Sequence, residues 1–181
     1  MKQNLFSRDF TMVLAGQVVS LFGNAVIRFA LPLYLLNQTG SPALLGSVTA
    51  CALLPSVLLS PVGGVVADRV NKRNVMVALD FFTALVVLAF LLRMEGEGLV
   101  LPLTVTLMLL YGIAGAYQPS VQASIPALVS QENLLAANSF INVVSSFSAL
   151  LGPALGGLLY SAYGLKPVLW ICAGCFFASA V

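Results

Sequence analysis

Gly63-Gly64-Val65-Val66-Ala67-Asp68-Arg69-Val70-Asn71-Lys72-Arg73 divides two long hydrophobic runs. The 25 residues from Ala43 to Ala67 carry no charge, four charged residues then fall within the six positions 68–73, and the chain turns hydrophobic again at Val75. An uncharged run of that length spans a bilayer, which takes roughly 20 apolar residues. The stretch reads as the end of one membrane helix, a tight basic turn and the start of the next. Gly63 and Gly64 allow close helix packing at that end. Arg69, Lys72 and Arg73 lie at a helix C-terminus, where the dipole favours cations, and they face anionic lipid. Asp68 is an acid at a negative helix end and needs a partner, either an arginine or the N-terminus of another helix.

Outward from this turn the chain keeps the same character. Hydrophobic residues make up 60% of it and charged residues 8%, against roughly a quarter charged in soluble domains. Apolar runs fall at about 10–36, 43–67, 74–92, 99–117, 136–163 and 167–181. Between them lie the turn Asn37–Pro42, a short acidic loop with Glu95 and Glu97, and a longer polar connection from Gln118 to Leu135 that holds Pro119, Pro126 and Glu132. The runs are too many and too long for a signal peptide. They are also too long for barrel strands and do not alternate, so the chain is expected to be an all-α membrane protein. The sixth run, from Pro167 to Val181, has 15 residues, or about 22 Å of helix against a hydrocarbon core of about 30 Å. A truncated sixth helix predicts a fragment of a longer protein, its N-terminal half; a half-length membrane protein without transport activity is the other expectation.

Lys2, Arg8, Arg69, Lys72 and Arg73 share one side of this topology, and only Arg93 and Lys166 fall on the other. The positive-inside rule then places the N-terminus in the cytoplasm of a multi-pass protein of the cell membrane. Tyr34, Tyr160, Tyr163 and Trp170 are expected at the outer interface. A net charge of +2 gives no footprint for nucleic acid, and without His and with three Cys the chain offers no metal set. Cys172 and Cys175 read as small apolar residues of a packed helix. Neither a nucleotide-binding motif nor a constellation of catalytic side chains is visible, so no cofactor and no enzyme activity are expected.

The segment Gly64-x-x-x-Asp68-Arg69-x-x-Lys72-Arg73 resembles the signature that the major facilitator superfamily carries between its second and third helices. Within that superfamily the chain is most similar to the branch of macrolide-efflux and enterobactin exporters. Ala15-Gly16-Gln17-x-x-Ser20-Leu21, Tyr34-Leu35-x-x-Gln38-Thr39-Gly40-Ser41, Ile125-Pro126-Ala127-Leu128-Val129-x-x-Glu132 and Ala136-Ala137-Asn138-Ser139 carry that likeness. The resemblance implies a six-helix N-terminal bundle of 3+3 inverted repeats, with a C-terminal bundle absent from this chain. It also implies a cytoplasmic latch between the two halves, formed by Gly64, Asp68, Arg69, Lys72 and Arg73. Gly152-Pro153-Ala154-Leu155-Gly156-Gly157 resembles the antiporter signature of drug exporters, where Gly152, Pro153, Gly156 and Gly157 let a bent helix pack against the other half; Ser148 stands where that pattern has a further glycine. Close packing by small residues within one half is the plainer reading of the same stretch.

Charges inside membrane spans are functional candidates, and the spans contain Arg28 and Asp80. Arg28 lies about 27 Å along the first helix and Asp80 about 9 Å into the third, so they are not expected to pair. Asp80 shares a face with Arg73 and is expected either in the charge cluster of the latch or as a proton carrier. Arg28 either snorkels to the outer interface or lines a central cavity with Gln17, Asn24, Met108 and Tyr111. Related exporters often have an acid where Asn24 stands and an arginine where Tyr111 stands. The expected function is export of small amphipathic compounds, drug- or macrolide-like, by alternating access and in exchange for protons. A lipid or siderophore-like anion is the alternative substrate class.

Overall fold

The computed structural model describes residues 8–96 and 98–180; the side chains of residues 8, 9, 66–68 and 72 lie outside that description. It is built of six helices: α1 (Arg8–Thr39), α2 (Pro42–Arg69), α3 (Lys72–Arg93), α4 (Val100–Leu128), α5 (Leu134–Tyr163) and α6 (Leu165–Ala180). A single 3-10 turn, Gln131–Asn133, precedes α5. Helices α1 to α5 are long and apolar enough to cross a membrane, and α6 is an apolar helix of 16 residues.

The connections are short because local chemistry ends each helix sharply. Gly40 and Gly164 have φ of 63° and 76°, a region that costs other L-residues roughly 1 kcal/mol. Each glycine N–H closes the preceding helix, on Leu36 O and Tyr160 O. The Ser41 hydroxyl accepts from Leu44 N–H and caps α2. Within the quoted stretch, Asn71 is the N-cap of α3: its side-chain oxygen accepts from Arg73 N–H at 3.1 Å. The acid that begins the turn, Asp68, has its side chain outside the described residues.

Helix α4 differs most from expectation. It runs on through Pro119 and Pro126 to Leu128, where polar composition predicted a connection. Tyr117, Ser120, Val121, Ser124 and Ile125 are all buried on one face, a helical period. The serine hydroxyls bond to Ala116 O and Val121 O of their own helix. Polar residues that satisfy themselves in this way need no loop.

The packing is two-fold in pattern. The closest seams are α2 with α4, α1 with α5, and α3 with α6, followed by α1 with α6 and α3 with α4. Exchanging α1 with α4, α2 with α5 and α3 with α6 maps this set onto itself, as a 3+3 repeat requires. Glycines make the two matching seams close. A Cβ at Gly115 would lie 2.5 Å from Ser56 O, and one at Gly63 would lie 2.5 Å from Ala116 Cα. A Cβ at Gly152 would lie 2.2 Å from Ala25 Cβ, and one at Gly156 would lie 2.9 Å from Val26 O. The outer faces of α2 and α5 stay apolar, with Val57, Leu58 and Leu150 at least 70% exposed. Such faces suit lipid or another helical bundle, and water would not tolerate them.

Two apolar clusters fill the interior. The larger joins Val26, Leu31, Val87, Phe90, Leu107, Leu110, Leu169 and Phe176. The smaller, at the end of the α2–α3 turn, joins Phe10, Met76, Tyr117, Val121, Ile125 and Ile141. A polar layer of Gln17, Ser20, Asp80 and Ser179 falls between them along α1, α3 and α6.

Candidate functional site

The polar residues singled out from the sequence fall into two groups on α1, about 12 Å apart along the helix. At the outer one, the guanidinium carbon of Arg28 lies 3.6 Å from the ring centroid of Tyr111 on α4. That is a cation–π contact. The Arg28 guanidinium thus covers Tyr111 on α4. Asn24, one turn before it, donates to Ser20 O at 3.1 Å and leaves its buried Oδ1 without a partner. Met108, three residues before Tyr111, packs half-buried on the larger cluster. Among the described residues Arg28 makes no ion pair. The outer group thus offers a half-buried cation, an aromatic face and an unused amide oxygen.

The inner group centres on Asp80, which is 2% exposed. Ser20 of α1 donates to Oδ1 at 2.6 Å, Ser179 of α6 donates to Oδ2 at 2.7 Å, and the Tyr117 hydroxyl of α4 reaches Oδ2 at 3.4 Å. Asp80 ties three helices to its own, and no cation pairs with it among the described residues. A cavity of about 580 Å³ adjoins it, lined by Gly16, Gln17, Arg73, Asp80, Tyr117 and Ser179 among others. Gln17 belongs to this cavity and not to the outer group. Its side chain is 1% exposed and neither of its amide atoms has a partner.

The turn residues are spread more widely. Arg69 and Arg73 are exposed, and Arg73 shares the cavity with Asp80 without pairing to it. A Cβ at Gly64 would meet nothing within 4 Å, so this glycine is not required by packing inside the bundle, unlike Gly63. The Asp68 and Lys72 side chains lie outside the described residues. On α5, Gly152 and Gly156 press on Ala25, Val26 and Phe29 of α1, and a Cβ at Gly157 would touch the Phe29 ring at 3.3 Å. The glycines of this stretch serve a seam within the bundle; Pro153, half-buried between them, leaves a helix N–H missing there.

At the opposite end, Lys166 at the start of α6 pairs with Glu95 after α3, and both are exposed. That hydrogen bond, then the charge of Lys166, holds the Glu95 carboxyl below its ordinary range.

Tyr117, Ser179 and the Asn71 cap were not singled out from the sequence, and Ser20 stood there only as part of a stretch carrying the family likeness. Asn71 was legible, since Asn before a helix is a capping signal. The hydroxyls were not, because Asp80 meets them at separations of 60, 37 and 99 residues.

Comparison with known proteins fits this geometry. The profile of the Major Facilitator Superfamily matches residues 13–181. The chain is 29% identical over 178 residues to macrolide efflux protein A of Streptococcus pyogenes, covering 94% of this chain and 42% of that protein. It is 31% identical over 178 residues to multidrug resistance protein MdtG of Serratia proteamaculans, covering 96% of this chain and 41% of the relative. The chain thus spans about two fifths of the length of both. Its fold superposes on the POT family transporter PepTSo with a TM-score of 0.75 at 20% identity, over 96% of this chain and 36% of that one. With five apolar spans and a family match over nearly its whole length, the protein is a multi-pass membrane protein of the Major Facilitator Superfamily.

Proposed function

We propose that this chain is the N-terminal bundle of a secondary transporter that exports small amphipathic compounds, macrolide-like drugs among them, from the cytoplasm across the cell membrane. A second six-helix bundle completes it. The two rock about a midplane site, with the N-terminus and the α2–α3 turn on the cytoplasmic side and protons as the counter-ion. The observation that carries this reading is the outer group. Arg28 over Tyr111, with the unused Oδ1 of Asn24, puts recognition chemistry on α1 and α4, the first helices of the two repeats. The similarity to efflux proteins supports the substrate class. Gly64, free of packing partners inside the bundle, and the exposed Arg69 and Arg73 suit a latch to the second bundle, with Asp68 and Lys72 as its other members.

A second substrate reading has one observation in its favour. Arg28 has no carboxylate partner among the described residues, which suits an anion such as a lipid or siderophore-like compound. Expression of the complete gene in a drug-sensitive bacterium tests both. Raised resistance to macrolides that Arg28→Gln abolishes, with normal membrane insertion, supports the site. Export that is indifferent to Arg28→Gln removes this residue from it.

A further inference from the structure

We propose that Asp80 is the proton-exchanging residue of this bundle and that Ser179 relays its protonation state to α1. The proposal rests on the transporter reading above and deepens it. Its basis is a count of protons. Ser179 Oγ lies 2.7 Å from Asp80 Oδ2 and 2.9 Å from the carbonyl oxygen of Gly16. A hydroxyl has one proton to donate. If Asp80 is ionised, the carboxylate claims that proton, and Gly16 O keeps only its helical bond within α1. If Oδ2 carries a proton, the carboxyl donates to Ser179, Ser179 donates to Gly16 O, and Ser20 donates to Oδ1. The same distances therefore accommodate both protonation states, and they differ in where Ser179 sends its single proton.

The two states differ at one hinge of the bundle. With Asp80 protonated, Ser179 fastens α6 to α1 through the Gly16 carbonyl. With Asp80 ionised, Ser179 turns its single proton to the carboxylate and the α6–α1 link is released. The helices meet closely there: a Cβ on residue 16 would lie 3.3 Å from Ser179 Oγ, a tight contact. Because α1 also carries Asn24 and Arg28, the switch acts on the helix that holds the outer group.

The cavity beside Asp80 gives the proton a route. It opens past Asn71 and Arg73, both exposed, and Gln17 turns an unpartnered amide into it. The proton is taken from and returned to water in that space. Few other groups compete for it. From α4 the carboxyl faces the Tyr117 hydroxyl. From its own helix it faces Arg73 across the cavity. Helix α6 brings Ser179, with the thiols of Cys175 and Cys172 one and two turns further along it. Helix α1 brings Ser20 and Gln17, and its cation Arg28 lies two turns beyond Ser20, stacked on Tyr111. The Asp68 side chain near the turn is outside the described residues.

The test is infrared difference spectroscopy of the complete transporter, this bundle together with the second one, in lipid vesicles during a pH titration. It is paired with spin-label distances between cysteines placed at the exposed residues Ala15 and Ala178, with Cys51, Cys172 and Cys175 replaced by alanine. A protonated-carboxyl band that vanishes in Asp80→Asn, rising with acidification as the two labels draw together, is the expected result. Asp80→Asn, an uncharged mimic, should hold the short distance at every pH. Ser179→Ala should keep the band and lose the distance change, which shows that the relay and the titration are separable. An Asp80 band absent at every pH at which the chain stays folded overturns the proposal. So does a distance change driven by Na⁺ at constant pH. The same vesicles, tested with a radiolabelled macrolide, separate the two readings. Macrolide binding without an Asp80 band sinks this proposal alone, and an Asp80 band without binding sinks the drug-export reading alone.

Discussion

Arg28 and Asp80 are the two charges set inside the membrane spans, and the bundle holds them in opposite ways. The cation rests on an aromatic face, and the acid is enclosed by three hydroxyls. Neither neutralises the other, and neither has an ion-pair partner among the described residues. A buried charge pair would be self-sufficient and indifferent to ligands. Two separate charges, each satisfied by neutral groups, keep the capacity to take a partner from outside. Arg28 can meet a substrate, and Asp80 can gain or lose a proton. Both act through α1, the helix that also packs against the glycines of α5.

The largest effect should come from Gly152→Leu. The added bulk begins 2.2 Å from Ala25 Cβ, next to Asn24 and one turn from Arg28. Overpacking costs roughly 1–3 kcal/mol and more where backbones must part. Thermal unfolding in detergent should shift down sharply, and any folded fraction should lose the outer group while Asp80 still titrates. Asp80→Asn should come next: the variant folds, and the pH dependence of transport or of the α1–α6 distance disappears. Arg28→Gln removes the cation offered to the substrate; a lost hydrogen bond to a charged group is worth roughly 1.5 kcal/mol, so substrate affinity should fall about tenfold, with Arg28→Lys recovering only part of it because an ammonium cannot reproduce the planar guanidinium fork. Tyr117→Phe removes a long bond of 3.4 Å and should move the Asp80 titration slightly without abolishing it.

Smallest of all should be Lys166→Ala. Lys166 holds the Glu95 carboxyl below its ordinary value. Whatever this adds to stability is present above that ordinary value and fades as pH falls through the lowered one. An exposed pair is also screened by solvent. Melting temperature at neutral pH should be unchanged within error, and any loss of the wild-type advantage should appear only under acid.

The fold was largely legible because it is dictated by the bilayer. Uncharged runs bounded by a basic turn leave few alternatives to membrane helices, and Gly64, Asp68 and Arg73 in one turn carried the family resemblance. The limit came where polarity and structure part company. The segment after Tyr117 looked like a loop, yet Ser120 and Ser124 bond to their own helix and bury on one face. Arg28 and Tyr111 were each visible as candidates, but their stacking was not, since no spacing rule joins residues on α1 and α4. Asp80 stood out as an intramembrane acid, and Arg73 on its own helix looked like its partner. Its actual partners are hydroxyls on three other helices, so the chemistry of this acid depends on how helices pack and not on neighbours in sequence.

The most direct measurement is equilibrium binding of a radiolabelled macrolide to the reconstituted protein at acid and alkaline pH, for the wild type, Arg28→Gln and Asp80→Asn. Two charges with separate tasks predict that Arg28→Gln binds weakly at both pH values and keeps the pH dependence of the wild type, whereas Asp80→Asn binds with one affinity throughout. If both variants lost affinity equally and kept the same pH dependence, the division of labour between Arg28 and Asp80 would be contradicted.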